Sequence, residues 1–137
     1  MINFSNSSFI KSTKTLKDAP KGQLKEILFV GRSNAGKSSL INALCEKKNL
    51  AFTSSKPGLT KVLNYYNVDN KFYLVDAPGY GYAKGGVDLY ALFEETMNSY
   101  LLNNHFLKAA LLIIDSRREM NENDIMMLDY FKNNDIK

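Results

Sequence analysis

Short apolar runs alternate along this chain with segments in which apolar residues recur at helical spacing. The runs at 27–30 and 109–114 are continuously apolar, as in buried strands, and those at 62–68 and 71–75 are rich in β-branched and aromatic residues. Asp69-Asn70 joins the last two runs and predicts an antiparallel hairpin. Helical spacing predicts three helices, marked by Leu40, Ile41 and Leu44, by Leu89, Leu92, Phe93, Met97, Tyr100 and Leu101, and by Ile125, Leu128 and Phe131.

This order of elements, with one hairpin inside an alternating β/α pattern, predicts an α/β fold whose mostly parallel sheet is covered on both faces. We divide the chain into a leader, residues 1–26, and a main domain, residues 27–137. In the leader, Phe4 and Phe9 are expected either to add an edge strand or to pack against the domain. The predicted helix caps are Asp88 for the second helix and Asn121 or Asn123 for the third.

Composition narrows the class of protein. The 137 residues, 45% of them hydrophobic, are enough for one domain with a real core, and no apolar run is long enough to cross a bilayer. Residues 1–25 lack the apolar stretch of a secretory signal, and the single cysteine, Cys45, indicates a reducing cytoplasm and a small buried residue. The net charge of +4 weakly suits an acidic partner such as RNA, although solvated lysines explain it more simply.

One segment carries a chemical motif in full. Gly31-Arg32-Ser33-Asn34-Ala35-Gly36-Lys37-Ser38 fits the phosphate-binding pattern G-x-x-x-x-G-K-[ST] between a predicted strand and a predicted helix, and we include Ser39 in this loop. Glycines let backbone N–H groups surround an anion, and the helix N-terminus favours negative charge. Lys37 is expected to contact the outer phosphates of a nucleotide, and Ser38 to bind Mg²⁺.

A second motif, Asp76-Ala77-Pro78-Gly79, directly follows the second hairpin strand. Gly31 and Asp76 both lie at carboxyl ends of predicted strands, where ligands bind in sheets of this kind, so they should meet at one sheet edge. Asp76 is expected to hold the metal through a water, and Gly79 lets its backbone N–H approach the terminal phosphate.

Thr60, in the loop before the hairpin, is the candidate for a further hydroxyl ligand when a triphosphate is bound. The metal ligands predicted in this way are Ser38, Thr60 and Asp76. The residues assigned to catalysis are Lys37, Thr60 and Gly79.

Together these stretches resemble the EngB family of TRAFAC-class bacterial GTPases. The resemblance rests on the loop from Gly31 to Ser39, on Ser55-Lys56-Pro57-Gly58-Leu59-Thr60, on the segment from Val75 to Ala83, and on Asp115-Ser116-Arg117. It implies a three-layer P-loop NTPase domain of the Ras-like type, with GTP or GDP as ligand. It also implies that Gly58-Leu59-Thr60-Lys61-Val62 form a first switch, and residues from Asp76 to about Gly86 a second.

The resemblance further implies a GTPase that acts in assembly of the large ribosomal subunit, next to rRNA, with a link to septation in cell division. Tyr80 stands where Ras-like enzymes place a water-orienting glutamine, so unaided hydrolysis should be slow. Asn34 is similar in position to an asparagine that coordinates potassium in some related GTPases, which makes K⁺ a hypothetical cofactor. Two alternatives stay open: a nucleotide-binding or ribosome-binding module without useful catalysis, and a P-loop ATPase of another lineage.

The family's base-reading motif, Asn/Thr-Lys-x-Asp, does not occur within these 137 residues. Phosphate and Mg²⁺ binding are therefore predicted from the residues, whereas guanine selectivity is predicted from the resemblance alone. We expect the chain either to be a fragment of a longer product, lacking the C-terminal strands and helices, or to self-associate through the strand at 109–114. A bare apolar strand edge invites pairing with another chain.

Overall fold

The fold is built from five strands and three α-helices within the part of the chain that the structure, a computed structural model, describes: residues 1–13, 16–32, 35–51, 62–80, 89–101 and 104–137. The strands are β1 (Ser7–Thr13), β2 (Lys25–Gly31), β3 (Leu63–Val68), β4 (Phe72–Asp76) and β5 (Leu107–Ile113). The helices are α1 (Lys37–Leu44), α2 (Leu89–Leu101) and α3 (Glu122–Asn133), with a short 3₁₀ turn at Leu16–Asp18.

The strands form one sheet in the order β1-β3-β4-β2-β5. Strand β2 is parallel to both β4 and β5, whereas β3 is antiparallel to β1 and to β4. Four strands therefore run in one direction and β3 alone runs in the other. This confirms the prediction of an α/β fold with a mostly parallel sheet and one reversed hairpin strand.

The hairpin of β3 and β4 turns at the predicted dipeptide. Asp69 and Asn70 have φ angles of 53° and 54°, and the Lys71 N–H donates to the Val68 carbonyl (2.9 Å). Two consecutive left-handed residues are the signature of a type I′ turn, whose twist matches that of the flanking strands. Asp69 also accepts hydrogen bonds from the Asn3 N–H (2.9 Å) and the Asn6 amide (3.0 Å), which ties the leader to the turn.

The leader contributes an edge strand. β1 pairs with β3, and the ring of Phe9 packs edge-on against Tyr66 with centroids 5.6 Å apart. Phe4 packs in the same manner on Phe72, at 6.0 Å. Phe9 thus belongs to an edge strand, and both phenylalanines pack against the domain.

Successive residues along the strands point to opposite faces of the sheet, and a hydrophobic core lies on each face. Along β2, Leu28 and Val30 pack on one face with Met97 of α2 and Met127 of α3, whereas Phe29 packs on the other face with Ile41 of α1. Cys45 is fully buried in this second core, as predicted. The result is three layers, with the sheet in the middle.

Helix α2 has the bounds that its apolar spacing indicates, with Met97 and Tyr100 fully buried. Its predicted cap, Asp88, lies outside the described residues. No helix in the described ranges is long and apolar enough to cross a membrane.

The predicted third helix is present, but only one of its three marker residues, Phe131, is buried. Ile125 and Leu128 are 51% and 36% exposed, and the face that packs on the sheet carries Asp124, Met127 and Phe131. Residues 125–128 are all apolar, so periodicity alone does not define one face there. The helix begins at one of the two predicted caps, Asn121. The Asn121 side chain accepts from the Asp124 N–H, and Asp124 accepts from the Asn121 N–H, which forms a reciprocal capping box.

Strand β5 lies at the end of the described sheet and spans Leu107–Ile113, two residues earlier than the predicted start at 109. Leu111 is 48% exposed, and on the side away from β2 the Ala110 N–H donates to the Lys137 carbonyl (2.8 Å). The opposite edge, β1, is interrupted by an irregularity at Ile10, which weakens it as a template for pairing.

We predict that this 137-residue chain self-associates through β5. Light scattering should show an apparent mass that rises above 15.5 kDa with concentration. Leu111→Lys should suppress the rise, because a charge on an edge strand opposes strand pairing. The matched control is Ile10→Lys, which places the same charge at an exposed apolar position of β1 and should leave the association unchanged. A monomer at every concentration contradicts the prediction.

Candidate functional site

The carboxyl ends of β2 and β4 meet at one edge of the sheet. In their parallel register Phe29 lies opposite Asp76, the last residue of β4, and Gly31 ends β2 two residues later. Beyond β4 the chain continues beside β2, because the Ala77 N–H donates to the Phe29 carbonyl (3.0 Å) and the Tyr80 N–H to the Gly31 carbonyl (3.3 Å). The two motifs predicted to converge therefore lie side by side.

Two glycines in the loop have geometric reasons to be glycine. A Cβ on Gly31 would lie 2.9 Å from the Ile113 carbonyl oxygen of β5, closer than such atoms approach. Gly36 has a φ of +97° and is the N-cap of α1, where a left-handed conformation strains any other residue. Having no side chain, Gly36 does not cap the helix, so the N–H groups of its first turn are free of a side-chain cap and can bind an anion.

Lys37 and Asp76 form an ion pair at this edge. The Lys37 Nζ donates to Asp76 Oδ1, and only 12% and 7% of the two side chains are exposed. Burial raises the pKa of the Asp76 carboxyl, and the Lys37 ammonium beside it opposes that rise. A cation and an acid thus sit together, largely shielded from water, between the glycine loop and the second motif.

The other predicted site residues divide into two groups. The first group lies within the described residues. At the start of α1, Ala35 and Ser38 are half-buried and Ser39 is exposed. After β4, Ala77 and Pro78 are buried and Gly79 is half-buried, and Val62 is half-buried just before β3. Ser33, Asn34, Gly58, Leu59, Thr60 and Lys61 lie outside the described residues. The predicted roles of Thr60 and Asn34 therefore stay predictions.

The described oxygen donors suit a metal ion that arrives with a nucleotide. Within the described ranges there is no group of three or more His, Cys, Asp or Glu side chains that could hold a metal. Mg²⁺ bound with nucleotide phosphates usually takes one or two oxygen ligands from the protein and several waters. A serine hydroxyl at the start of α1 and a carboxylate at the end of β4 fit that donor set, and do not form a metal cage of their own.

Sequence reasoning missed one residue at this edge, Asp124 of α3. Its side chain is 1% exposed; Oδ1 accepts from the Tyr80 hydroxyl (2.6 Å) and Oδ2 pairs with Arg32 Nε (3.2 Å). Arg32 Nη2 also donates to the Glu119 carbonyl (3.3 Å). The capping-box spacing of Asn121 and Asp124 was a local signal, since it predicts that Asp124 bonds at the start of α3; its contacts with Arg32 and Tyr80 depend on the fold.

A second buried carboxylate lies at the other end of β2. Glu26 accepts from the Tyr100 hydroxyl (2.5 Å) and from the Asn104 amide (3.2 Å). Burial raises the pKa of Glu26, and these two hydrogen bonds oppose the rise. Because Glu26 lies near the amino end of β2, it takes no part in the site at the carboxyl edge.

Comparison with known proteins agrees with the sequence motifs. A family model described as a 50S ribosome-binding GTPase matches residues 26–137. The probable GTP-binding protein EngB of Thermoanaerobacter pseudethanolicus is 43% identical over 128 residues, which cover 93% of this chain and 67% of that protein. The protein of the same name from Lactobacillus acidophilus is 48% identical over 125 residues, covering 91% of this chain and 64% of that protein.

A solved structure supports the fold. The crystal structure of a probable GTP-binding protein engB superposes with a TM-score of 0.58 at 24% identity, covering 81% of this chain and 66% of that one. The chain thus spans about two thirds of the length of the relatives it matches. Identity of this extent, together with the family model and the sheet order, confirms the family that the motifs indicated: the chain belongs to the EngB family.

Proposed function

We propose that this chain is the phosphate-binding part of a GTPase that binds GTP and GDP together with Mg²⁺. The observation that carries the proposal is the contact between Lys37 of the glycine loop and Asp76 of the neighbouring strand, at the carboxyl edge of the sheet. The assignment of guanine as the base rests on the relatives, which are named as probable GTP-binding proteins.

Each member of the site has a distinct chemical task in this proposal. The uncapped N–H groups of the first turn of α1 would bind phosphate oxygens, and Lys37 would contact the outer phosphates. Ser38 would bind Mg²⁺ directly, Asp76 through a water, and Thr60 as a further ligand. When bound, Mg²⁺ would neutralise charge between the outer phosphates. Lys37 and Asp76, which face each other in the structure, would then each gain an oppositely charged partner.

Hydrolysis by this chain alone should be slow. Tyr80, at the position of the water-orienting glutamine of Ras-like enzymes, is fully buried and donates its hydroxyl to Asp124. The catalytic assignments to Lys37, Thr60 and Gly79 cover phosphate contacts and ligation, none of which activates water. In comparable systems a group supplied by a partner accelerates hydrolysis by about 10³–10⁵.

The large ribosomal subunit is the proposed partner, and the cytoplasm the proposed location. Support comes from the description of the matching family model and from two exposed cations after β5. Arg117 is 82% exposed and pairs with Asp115 (2.9 Å), and Arg118 follows it. Such side chains contact a nucleic-acid backbone through charge and carry no base-reading information. The link to septation stays a prediction from the resemblance.

Titration with fluorescent GDP and ATP tests the nucleotide assignment. We expect GDP to bind in preference to ATP and to bind more weakly after Mg²⁺ is removed with a chelator. Binding of neither nucleotide would favour a module without catalysis, and preference for ATP would favour an ATPase of another lineage.

Variants extend the same test. The double variant Lys37→Met/Asp76→Asn should weaken GDP binding by about tenfold or more, or ~1.4 kcal/mol. Both charges are removed together because a single change would leave a buried charge unpaired and destabilise the fold. Lys48→Ala, an exposed lysine shortly after α1, is the control and should bind GDP like the wild type.

The potassium hypothesis predicts faster GTP hydrolysis in K⁺ than in Na⁺ buffers of equal ionic strength, because K⁺ held by Asn34 would add positive charge beside the phosphates. Asn34→Ser should remove the difference. Equal rates for the wild type in both salts contradict the hypothesis.

The ribosome assignment predicts co-sedimentation with large subunits in the presence of a non-hydrolysable GTP analogue, decreasing with salt as phosphate contacts are screened. Replacing Arg117 and Arg118 by glutamate should reduce the co-sedimented fraction. Replacing Lys47 and Lys48 by glutamate, the control, should reduce that fraction less. Absence of the wild type from large-subunit fractions would count against this partner.

A further inference from the structure

Asp124 joins three segments that are far apart in sequence. Arg32 comes from the glycine loop, Tyr80 follows the Asp-x-x-Gly motif, and Asn121 begins α3; each donates a hydrogen bond to the Asp124 carboxylate or pairs with it. The distances are 3.2 Å from Arg32 Nε, 2.6 Å from the Tyr80 hydroxyl and 3.0 Å from the Asn121 N–H. A buried carboxylate with both oxygens engaged holds its donors in place. Losing Arg32 would leave the carboxylate charge unpaired, and losing either neutral donor would remove a hydrogen bond from a buried oxygen.

Backbone contacts link two of these segments directly. Arg32 and Tyr80 form a parallel β-bridge, and the Tyr80 N–H donates to the Gly31 carbonyl (3.3 Å). Displacing the backbone at Tyr80 therefore strains both its bridge to the glycine loop and its hydroxyl bond to Asp124. Arg32 adds a second route to the same region, since its Nη2 donates to the Glu119 carbonyl just before α3.

The capping box carries the linkage into α3. The carboxylate oxygen of Asp124 that pairs with Arg32 is Oδ2, and the same oxygen accepts from the Asn121 N–H. Asp124 thus serves two purposes with one atom: it fixes the loop cation and it closes the first turn of the helix. A change in the position of Arg32 or Tyr80 would alter the hydrogen bonding that starts α3.

We propose that Asp124 is a positioning residue that couples nucleotide binding to the order of the first turn of α3. This inference rests on the proposed function, since it takes the nucleotide to lie at the glycine loop and the Asp76–Tyr80 segment. By thermodynamic reciprocity, nucleotide binding stabilises the capping box, and an intact capping box strengthens nucleotide binding. The segment 115–120, with its exposed Arg117, adjoins this turn and would respond to the same coupling.

The chain contains a matched control for Tyr80. Tyr100 is likewise fully buried and donates its hydroxyl to a buried carboxylate, that of Glu26, at 2.5 Å against 2.6 Å for Tyr80 and Asp124. The Tyr100–Glu26 pair lies near the amino end of β2, on the opposite edge from the glycine loop. Tyr80→Phe and Tyr100→Phe each remove one hydroxyl from a similar environment, so they separate coupling from general stability.

The test compares the 137-residue wild type, Tyr80→Phe and Tyr100→Phe. We expect similar decreases in Tm for the two variants. Tyr80→Phe should weaken GDP affinity about fivefold or more, at the lower end of typical coupling, whereas Tyr100→Phe should stay within about twofold of the wild type. Equal GDP affinities for the two variants would overturn the inference.

Hydrogen exchange on the wild type supplies a second test that needs no variant. GDP should slow exchange at the amides of residues 121–125, and less so at the amides of residues 97–100 of α2. Unchanged exchange at 121–125 upon GDP binding overturns the coupling while leaving nucleotide binding intact. Failure of the wild type to bind GDP overturns the proposed function and the coupling together.

Discussion

The parallel register between β2 and β4 is the constraint on which the site depends. Because Phe29 lies opposite Asp76, the last residue of β4 comes level with the end of β2, where the glycine loop begins. Lys37, which follows the glycine loop, lies at the same end of the sheet and forms an ion pair with Asp76. Strand β5 lies on the other side of β2, and a Cβ on Gly31 would clash with the Ile113 carbonyl oxygen of β5. A register shift of one residue would turn the Asp76 side chain to the other face of the sheet.

The loop is held at both of its ends by buried acids from different elements. Arg32 pairs with Asp124 of α3, and Lys37 pairs with Asp76 of β4. Within the described ranges, the two acids differ in how many partners they have. Asp124 has the Tyr80 hydroxyl and the Asn121 N–H in addition to its cation, which fixes its position within the core. The hydrogen bond given to Asp76 comes from Lys37, a flexible side chain that can turn toward another anion, so this pair is suited to exchange partners.

Local chemistry explains which features could be predicted from the sequence. The hairpin turn, the strand β2 and the helix α1 depend on residues adjacent in the chain, and the structure has them where the patterns indicated. The buried face of α3 could not be predicted in this way, because residues 125–128 are all apolar and the deciding contact is with Arg32 and Tyr80, far away in sequence. The role of Asp124 was missed for the same reason: an acid in a helix is usually solvated, and only the sheet brings its partners together.

The burial of Tyr80 bears on what this site can do. A side chain that reaches into the core to bond a carboxylate cannot also orient water beside a phosphate, and Tyr80 does the former. The other groups placed at this edge are uncapped N–H groups, an ammonium, a hydroxyl and a carboxylate, all suited to bind phosphate and metal. In the proposed function, these groups therefore serve to bind a nucleotide and its metal ion. The Tyr80 hydroxyl instead connects this edge of the sheet with Asp124 of α3.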